Sequence, residues 1–354
     1  MELQLLQANE GDAIHLRFID EEGMYRNILI DGGTKDTYTY KDSKGKIKDG
    51  ALKQLVSRIR EQGEQIDLLI MTHVDDDHIG GILQWFGDKN NQTADLVKKV
   101  WFNSGRIIFK FFNQPPVEDN DLAIPESDSF ETSIKQGVAF EDFILKNGLW
   151  DEELIISGKV FELFGLKFTI LSPSEDKLQK LLDKWQTEAP ITETSRTSDW
   201  ETPLSELIVT DSFKSDQSIP NGSAIAFIVE NKETKLLFTG DAYATPVVDS
   251  LKALGYTTKK PLEAAFFKLS HHGSKGNTNV TLLNLIKSDN YLISTNSAVH
   301  GLPDKRLLAR LINNKKKLNL YFNYPDLIEE IFTEQDLKDF PKVSLLSAKE
   351  AIVI

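Results

Sequence analysis

The chain has 354 residues, enough for one large domain or two average ones, and its 40% hydrophobic and 27% charged residues are ordinary for a protein that buries a core. It has no cysteine, which excludes disulfides and thiolate metal sites, so any metal must be held by His, Asp or Glu. The net charge of −13 disfavours broad attraction to nucleic acid, although bound divalent cations can carry a phosphate contact locally.

The N-terminal residues show neither a basic leader nor an apolar core of signal-peptide length. No apolar run approaches the ~20 residues that cross a bilayer. The expectation is a soluble, cytoplasmic protein without a membrane partner.

Apolar and β-favouring residues predict strands over 2–7, 13–19 and 25–30, after which Asp31-Gly32-Gly33 breaks the pattern. Leu52, Leu55, Val56 and Ile59 recur at helical spacing and predict a helix over 51–60. The largely apolar run 66–71 reads as a buried strand, 79–86 as a helix start and 97–102 as another strand. The signal weakens between 106 and 153, where Pro115-Pro116 and the acidic 118–121 suggest loop and 130–145 an outer helix. A hairpin around Gly165 is expected over 160–171, a helix over 174–185, and a long exposed loop over 187–199, rich in Thr, Ser, Glu and Pro. Strands over 224–230 and 235–239 form a hairpin, 246–254 is helical, and 264–269 and 291–294 are strands. Residues 303–313 form a helix with Pro near its first turn, Lys315-Lys316-Lys317 reads as a solvated helix end, and 342–354 holds one or two short strands. Strands lead both halves with helices interspersed, which fits two sheets packed face to face with helices outside better than one parallel sheet.

A metal site needs several lone-pair donors converging within about 2.0–2.5 Å of one point, and local clustering achieves that most cheaply. His73, Asp75, Asp77 and His78 lie within six residues, between the apolar run 66–71 and Ile79-Gly80-Gly81. A strand end that turns into a helix start can aim alternate side chains into one pocket, and glycines clear the way for close backbone. A surface loop would not be expected to follow a buried strand so directly.

The string His73-Val74-Asp75-Asp76-Asp77-His78-Ile79-Gly80-Gly81 resembles the signature loop of the metallo-β-lactamase superfamily, usually His-x-His-x-Asp-His, with Asp75 in place of the second histidine. This variant is similar to the soluble hydrolase domain of ComEC-like competence proteins. Glu10-Gly11-Asp12-Ala13, Leu29-Ile30-Asp31-Gly32-Gly33, Asn221-Gly222-Ser223, Leu237-Phe238-Thr239-Gly240-Asp241 and Lys268-Leu269-Ser270-His271-His272-Gly273-Ser274 resemble further landmarks in the same order. The resemblance runs from about Leu3 to about Leu320, without 106–153 and 187–199. It implies an α/β fold, the metallo-β-lactamase αββα sandwich of two packed mixed sheets with helices outside. The whole of 1–354 would be one domain with insertions at about 106–153 and 187–220.

Carried over position by position, the resemblance implies that His73 and Asp75 hold one divalent metal ion, Asp77 and His78 a second, and that Asp241 bridges them. One of His271 and His272 would complete the ligand set of the second metal and the other meet the substrate, with His272 favoured as ligand and His271 as the phosphate-facing group. Asp31 and Thr72 would orient the ligands. Asn221, Lys268, Ser274 and His300 are further candidates for orienting ligands or meeting substrate. The chain departs from the pattern in having no histidine between His78 and His271, where Asn221 falls instead, so the first site is expected to be weak, open or filled by water. Gly-His-Pro is replaced by His300-Gly301-Leu302-Pro303, which displaces the histidine. His15, within a strand, reads as structural.

Carboxylate-rich ligands favour manganese more than an all-imidazole site would, with zinc as the other choice. The expected reaction is hydrolysis of a phosphodiester, DNA or RNA among the candidates, by a metal-activated hydroxide, with Asp77, Asp241 and His271 as catalytic groups. Hydrolysis of a small ester, thioester or lactam-like substrate is the alternative, and a non-catalytic metal-binding module the third reading. The loop around Arg196 reads first as a passive insertion and otherwise as a cover for the cleft that proteolysis would control, and a regulatory protein partner is a separate expectation.

Overall fold

The computed structural model describes residues 1–89, 95–113, 133–187, 198–232 and 234–354. The loop expected at 115–121, the first residues of the helix expected over 130–145, and Arg196 with nearly all of 187–199 lie outside these.

Two mixed sheets dominate. The first orders its strands Ile352–Val353, Glu2–Leu5, Ile14–Ile19, Tyr25–Ile30, Leu68–Ile70 and Val100–Trp101. Its first four strands are antiparallel and its last two join in parallel. The second runs Val343–Ser347, Leu318–Phe322, Asn290–Ile293, Phe266–Lys268, Thr234–Phe238, Ala226–Asn231, Leu166–Ser172 and Val160–Leu163. Its first five strands are parallel and its last three pair antiparallel.

The layering follows from side-chain alternation along strands. Ile28, Ile30, Leu68 and Ile70 pack with Phe227, Val229, Leu236 and Phe238 in a core between the sheets. Their neighbours Leu29 and Leu69 face the other way, onto the helices Ala51–Glu61 and Asp76–Phe86. Ile228 and Leu237 face a third core under the helices Ala244–Ala253 and Lys305–Asn314. Each central strand is therefore buried on both faces, which is why 68–71 is an uninterrupted apolar run. The result is the αββα sandwich. The segment 140–154 contributes Phe140, Ile144, Leu149 and Trp150 to the helix-side core of the first sheet.

Several elements had no sequence-based expectation. The strand Leu318–Phe322 buries alternate residues, but the lysines before it hide the pattern. The helices Gly105–Phe111, Leu204–Val209, Val280–Leu285, Leu327–Ile331 and Glu334–Asp339 are too short for a 3.6-residue period to show. Lys315 departs from its expected solvated role. Its ammonium turns inward to the carbonyls of Leu283 and Ile286, and burial pushes its pKa down to about 8, while Lys316 and Lys317 are exposed.

His15 is buried in the first sheet, its Nε2–H donating to Asn27 Oδ1 at 2.9 Å. Burial pushes its pKa down to about 4. The folded state therefore refuses a proton that the unfolded chain accepts below about pH 6.5. Stability is lost as pH falls from about 6.5 to about 4, by about 3 kcal/mol from this residue. Urea unfolding at pH 7 and pH 4.5 is expected to show His15→Gln losing less stability over that interval than the wild type.

Candidate metal centre

Most residues of the centre sit just beyond the carboxyl end of a strand, and Asp77 and His78 lie in the first turn of the helix Asp76–Phe86. Asp31 follows Tyr25–Ile30, Thr72 and His73 follow Leu68–Ile70, Asp241 follows Thr234–Phe238, and His271 and His272 follow Phe266–Lys268. Those are parallel or parallel-joined strands, whose carboxyl ends open onto one edge of an α/β sheet. Close backbone approach closes the centre from behind. A Cβ on Gly11 would fall 1.7 Å from the carbonyl oxygen of Asp77, and one on Gly81 would fall 2.1 Å from that of Gly32.

Three histidines are each held at Nδ1, which turns Nε2 inward. His78 Nδ1–H donates to Asp31 Oδ2 at 2.8 Å. The Asp31 carboxylate also accepts from the Thr72 N–H and hydroxyl, both at 2.7 Å. Since that hydroxyl donates to Asp31, it accepts from His73 Nδ1–H at 3.0 Å. His272 Nδ1–H donates to the Ser294 carbonyl at 2.9 Å. Asp31 adopts left-handed backbone, φ 57°, a conformation aspartate tolerates better than most residues. Asp31 and Thr72 thus orient the imidazoles.

Asp77, His78, Asp241 and His272 each present a ligand atom within 4.8 Å of the others. His272 Nε2 is 3.1 Å from Asp77 Oδ2, and His78 Nε2 is 3.4 Å from Asp241 Oδ1 and 3.6 Å from Asp77 Oδ2. His73 Nε2 stands 3.7 Å from Asp75 Oδ2 and 3.9 Å from Asp241 Oδ2, outside that tight group. Asp241 lies between the two sets. A second trio, Asp12, Asp31 and His78, is equally close, but its carboxylates are engaged by Lys268 and Thr72.

The electrostatics call for a cation. Burial opposes charge on His272, yet Asp241 and then Asp12 outweigh it and raise its pKa to about 10. Burial is likewise outweighed at His78, which Asp241, Asp77 and Asp31 push well up. Asp77 and Asp241 stay ionised despite burial because the histidines face them. His73 is the exception: burial and neighbouring His78 push it down to about 4. A divalent ion would replace the protons the carboxylates draw onto His78 and His272. The fit is direct, since His73 Nε2, His78 Nε2 and Asp241 Oδ1 are buried and have no hydrogen-bond partner.

The remaining candidates are placed as follows. Lys268 is 1% exposed and bonds Asp12 Oδ2 at 2.6 Å, so it lies behind the ligands rather than facing substrate. Ser274 is buried in the turn after the histidines, where its N–H donates to the His271 carbonyl. Asn221 is buried, with Nδ2 donating to Asp216 Oδ2 at 2.8 Å. His300 is half-buried in the turn 298–300 and belongs to neither close ligand group. Asp12, Asp216, Asn277 and the Ser294 carbonyl were not anticipated as parts of the centre. Of these, only Asp12 stood in a recognisable motif, Glu10-Gly11-Asp12-Ala13.

Residues 22–130, which contain the His73–His78 loop, match the sequence model of the metallo-beta-lactamase superfamily. That stretch is similar to a metallo-β-lactamase superfamily domain. Asp241, His271 and His272 lie beyond the matched stretch of that domain. The chain is 22% identical over 315 residues, 88% of its length, to ComE operon protein 3 of Bacillus subtilis (strain 168), and spans about 30% of that relative's length. Among solved structures it is similar to the metallo-beta-lactamase fold protein YhfI from Bacillus subtilis, at 9% identity and TM-score 0.38 over 97% of this chain and 95% of that one. Zn(2+)-bound PqqB from Methylobacterium extorquens gives 9% and 0.43 over all of both chains. Isothiocyanate hydrolase from Delia radicum gut bacteria gives 13% and 0.41 over 100% and 99%. Among the described residues, no helix is long and apolar enough to cross a membrane.

Proposed function

We propose that the protein is a metal-dependent phosphodiesterase or nuclease. The observation that carries this reading is the convergence of buried, unpartnered donors, His73 Nε2, His78 Nε2 and Asp241 Oδ1, beside Asp77 and His272. Asp77, His78, Asp241 and His272 would hold one divalent ion, and His73 and Asp75, with Asp241 shared, a second. When bound, such ions make a water nucleophilic near neutral pH and neutralise charge on phosphoryl oxygens. The three carboxylates favour manganese, with zinc the competing ion.

The chain's own groups supply the rest. Asp31, Thr72 and the Ser294 carbonyl fix the ring planes so that no reorganisation is needed when substrate arrives. His271, with 20% of its side chain exposed against 2% for His272, is the more accessible of the two. Once protonated, its imidazolium would donate a hydrogen bond from Nε2 to a phosphoryl oxygen. The choice of a phosphodiester over a lactam or thioester is supported by the loop His73–His78 with its extra aspartate and by the relationship to ComE operon protein 3. With a net charge of −13, a nucleic-acid substrate would be held by the ions and not by a basic surface.

The test is a substrate panel under one manganese concentration: a chromogenic bis-phosphodiester, single-stranded DNA and RNA oligonucleotides, a thioester and a lactam. Cleavage of the phosphodiesters alone is expected. Turnover confined to the thioester or lactam would transfer the site to small-molecule hydrolysis, and metal binding without any turnover would make it a binding module.

A further inference from the structure

His271 differs from the other three histidines in what orients it. Its partner is Asp216, carried in by residues 211–218, which have no regular secondary structure. That segment is nonetheless fixed along its length. Buried Arg310, from the helix Lys305–Asn314, grips the Asp211 carboxylate with two bonds of 2.8 Å and donates to the Ser212 carbonyl at 3.2 Å. The Asp216 N–H donates to the Gly276 carbonyl at 3.1 Å, and the Tyr243 hydroxyl donates to the Ser218 carbonyl.

The Asp216 carboxylate accepts from the Ser218 N–H, Asn221 Nδ2 and Asn277 Nδ2, and its Oδ2 lies 3.3 Å from His271 Nδ1. Asn277 settles the ring's tautomer. Its Nδ2 donates to Asp216 Oδ2 at 3.1 Å and to the Asp241 carbonyl at 3.0 Å, so its Oδ1 is the atom 3.2 Å from His271 Nδ1. The third neighbour of that nitrogen, Asn221 Nδ2 at 3.3 Å, is already committed to Asp216 at 2.8 Å. Two acceptors therefore face Nδ1, which carries the hydrogen. Nε2 is turned towards Asp241 Oδ2, 3.7 Å away. The His271 backbone is left-handed, φ 49°, so the side chain is held in this pose by its contacts and not by local preference.

We propose that Asp216 is a positioning residue, delivered by the 211–218 segment, that fixes His271 as the Nδ1–H tautomer and aims its Nε2 at the substrate side of the metal centre. This deepens the phosphodiesterase reading and rests on it. An orienting carboxylate of this kind is worth about 10–100-fold. Asp216→Asn removes the charge and replaces one of the two acceptor oxygens by a donor while keeping the shape, and Asp216→Glu returns a carboxylate.

The experiment reads three quantities on the full chain: kcat and KM for a bis-phosphodiester with manganese, manganese affinity, and the His271 tautomer from imidazole ¹⁵N spectra of the zinc-loaded protein, assigned with His271→Gln. Asp216→Asn is expected to lower kcat about 10–100-fold, keep KM and manganese affinity within about twofold, and populate the Nε2–H tautomer. Asp216→Glu is expected to regain part of kcat and the Nδ1–H tautomer. An unchanged tautomer in Asp216→Asn would overturn the proposal, as would loss of manganese binding in step with activity, which marks a structural role. If the wild type cleaves no phosphodiester while Asp216→Asn still switches the tautomer, the positioning stands and the substrate reading falls.

Discussion

Asp77→Ala is expected to remove metal-dependent phosphodiester hydrolysis by more than about 100-fold, beyond the range typical for a group that only orients a ligand. Asp77 Oδ2 is the carboxylate oxygen nearest His272 Nε2, at 3.1 Å, and it also faces His78 Nε2. Its loss takes one donor from the tight group of four. The fold should tolerate the change. Asp77 lies in the first turn of the helix Asp76–Phe86 with 24% of its side chain exposed, where a missing acid costs about 0.3–1 kcal/mol. Its removal also relieves repulsion with Asp241. Thermal melts separate the two effects. Wild type with metal at about 100 Kd gains about 2.7 kcal/mol, and Asp77→Ala should keep its metal-free melting temperature but lose this metal-induced rise. An unchanged rise would remove Asp77 from the ligand set.

Lys268→Met is expected to be the most destabilising single change near the centre. The ammonium is buried against Asp12 Oδ2 at 2.6 Å and the Leu269 carbonyl at 3.0 Å. Removing it strands a buried carboxylate, which costs about 3–5 kcal/mol. At roughly 2 °C per kcal/mol, the melting temperature falls by roughly 6–10 °C. Adding Asp12→Asn to Lys268→Met should recover part of the loss. The pH dependence has a definite sign. Burial would raise the Asp12 pKa, but Lys268 and then His272 outweigh it and hold it below the usual carboxylate range. A depressed pKa stabilises above the unfolded value, near 4, and that contribution disappears as pH falls through the folded value. The deficit of Lys268→Met relative to wild type should therefore shrink in acid.

These two residues also mark what the sequence makes legible. The His73–His78 loop is local, and a strand end feeding a helix start must bring its side chains together, so Asp77 is visible without a structure. The alternation of Ile28-Leu29-Ile30 and Phe227-Ile228-Val229 between two cores makes the double-sided burial of the sheets legible too. Lys268 stands in a recognisable string, yet its chemistry depends on Asp12 at the far end of the chain, and only the pairing of sheets puts the two in contact. Asp216 carries even less signal. It lies in a polar stretch without periodicity, and its meeting with His271 depends on Arg310 gripping Asp211 from a third part of the sequence.

The most direct test of the central claim is hydrolysis of a chromogenic bis-phosphodiester by one preparation of the full chain, measured as purified, after exhaustive chelation, and after manganese or zinc is returned. Cleavage is expected to disappear with chelation and to return with the divalent ion. Cleavage that survives complete removal of metal, or none with either ion bound, would contradict it.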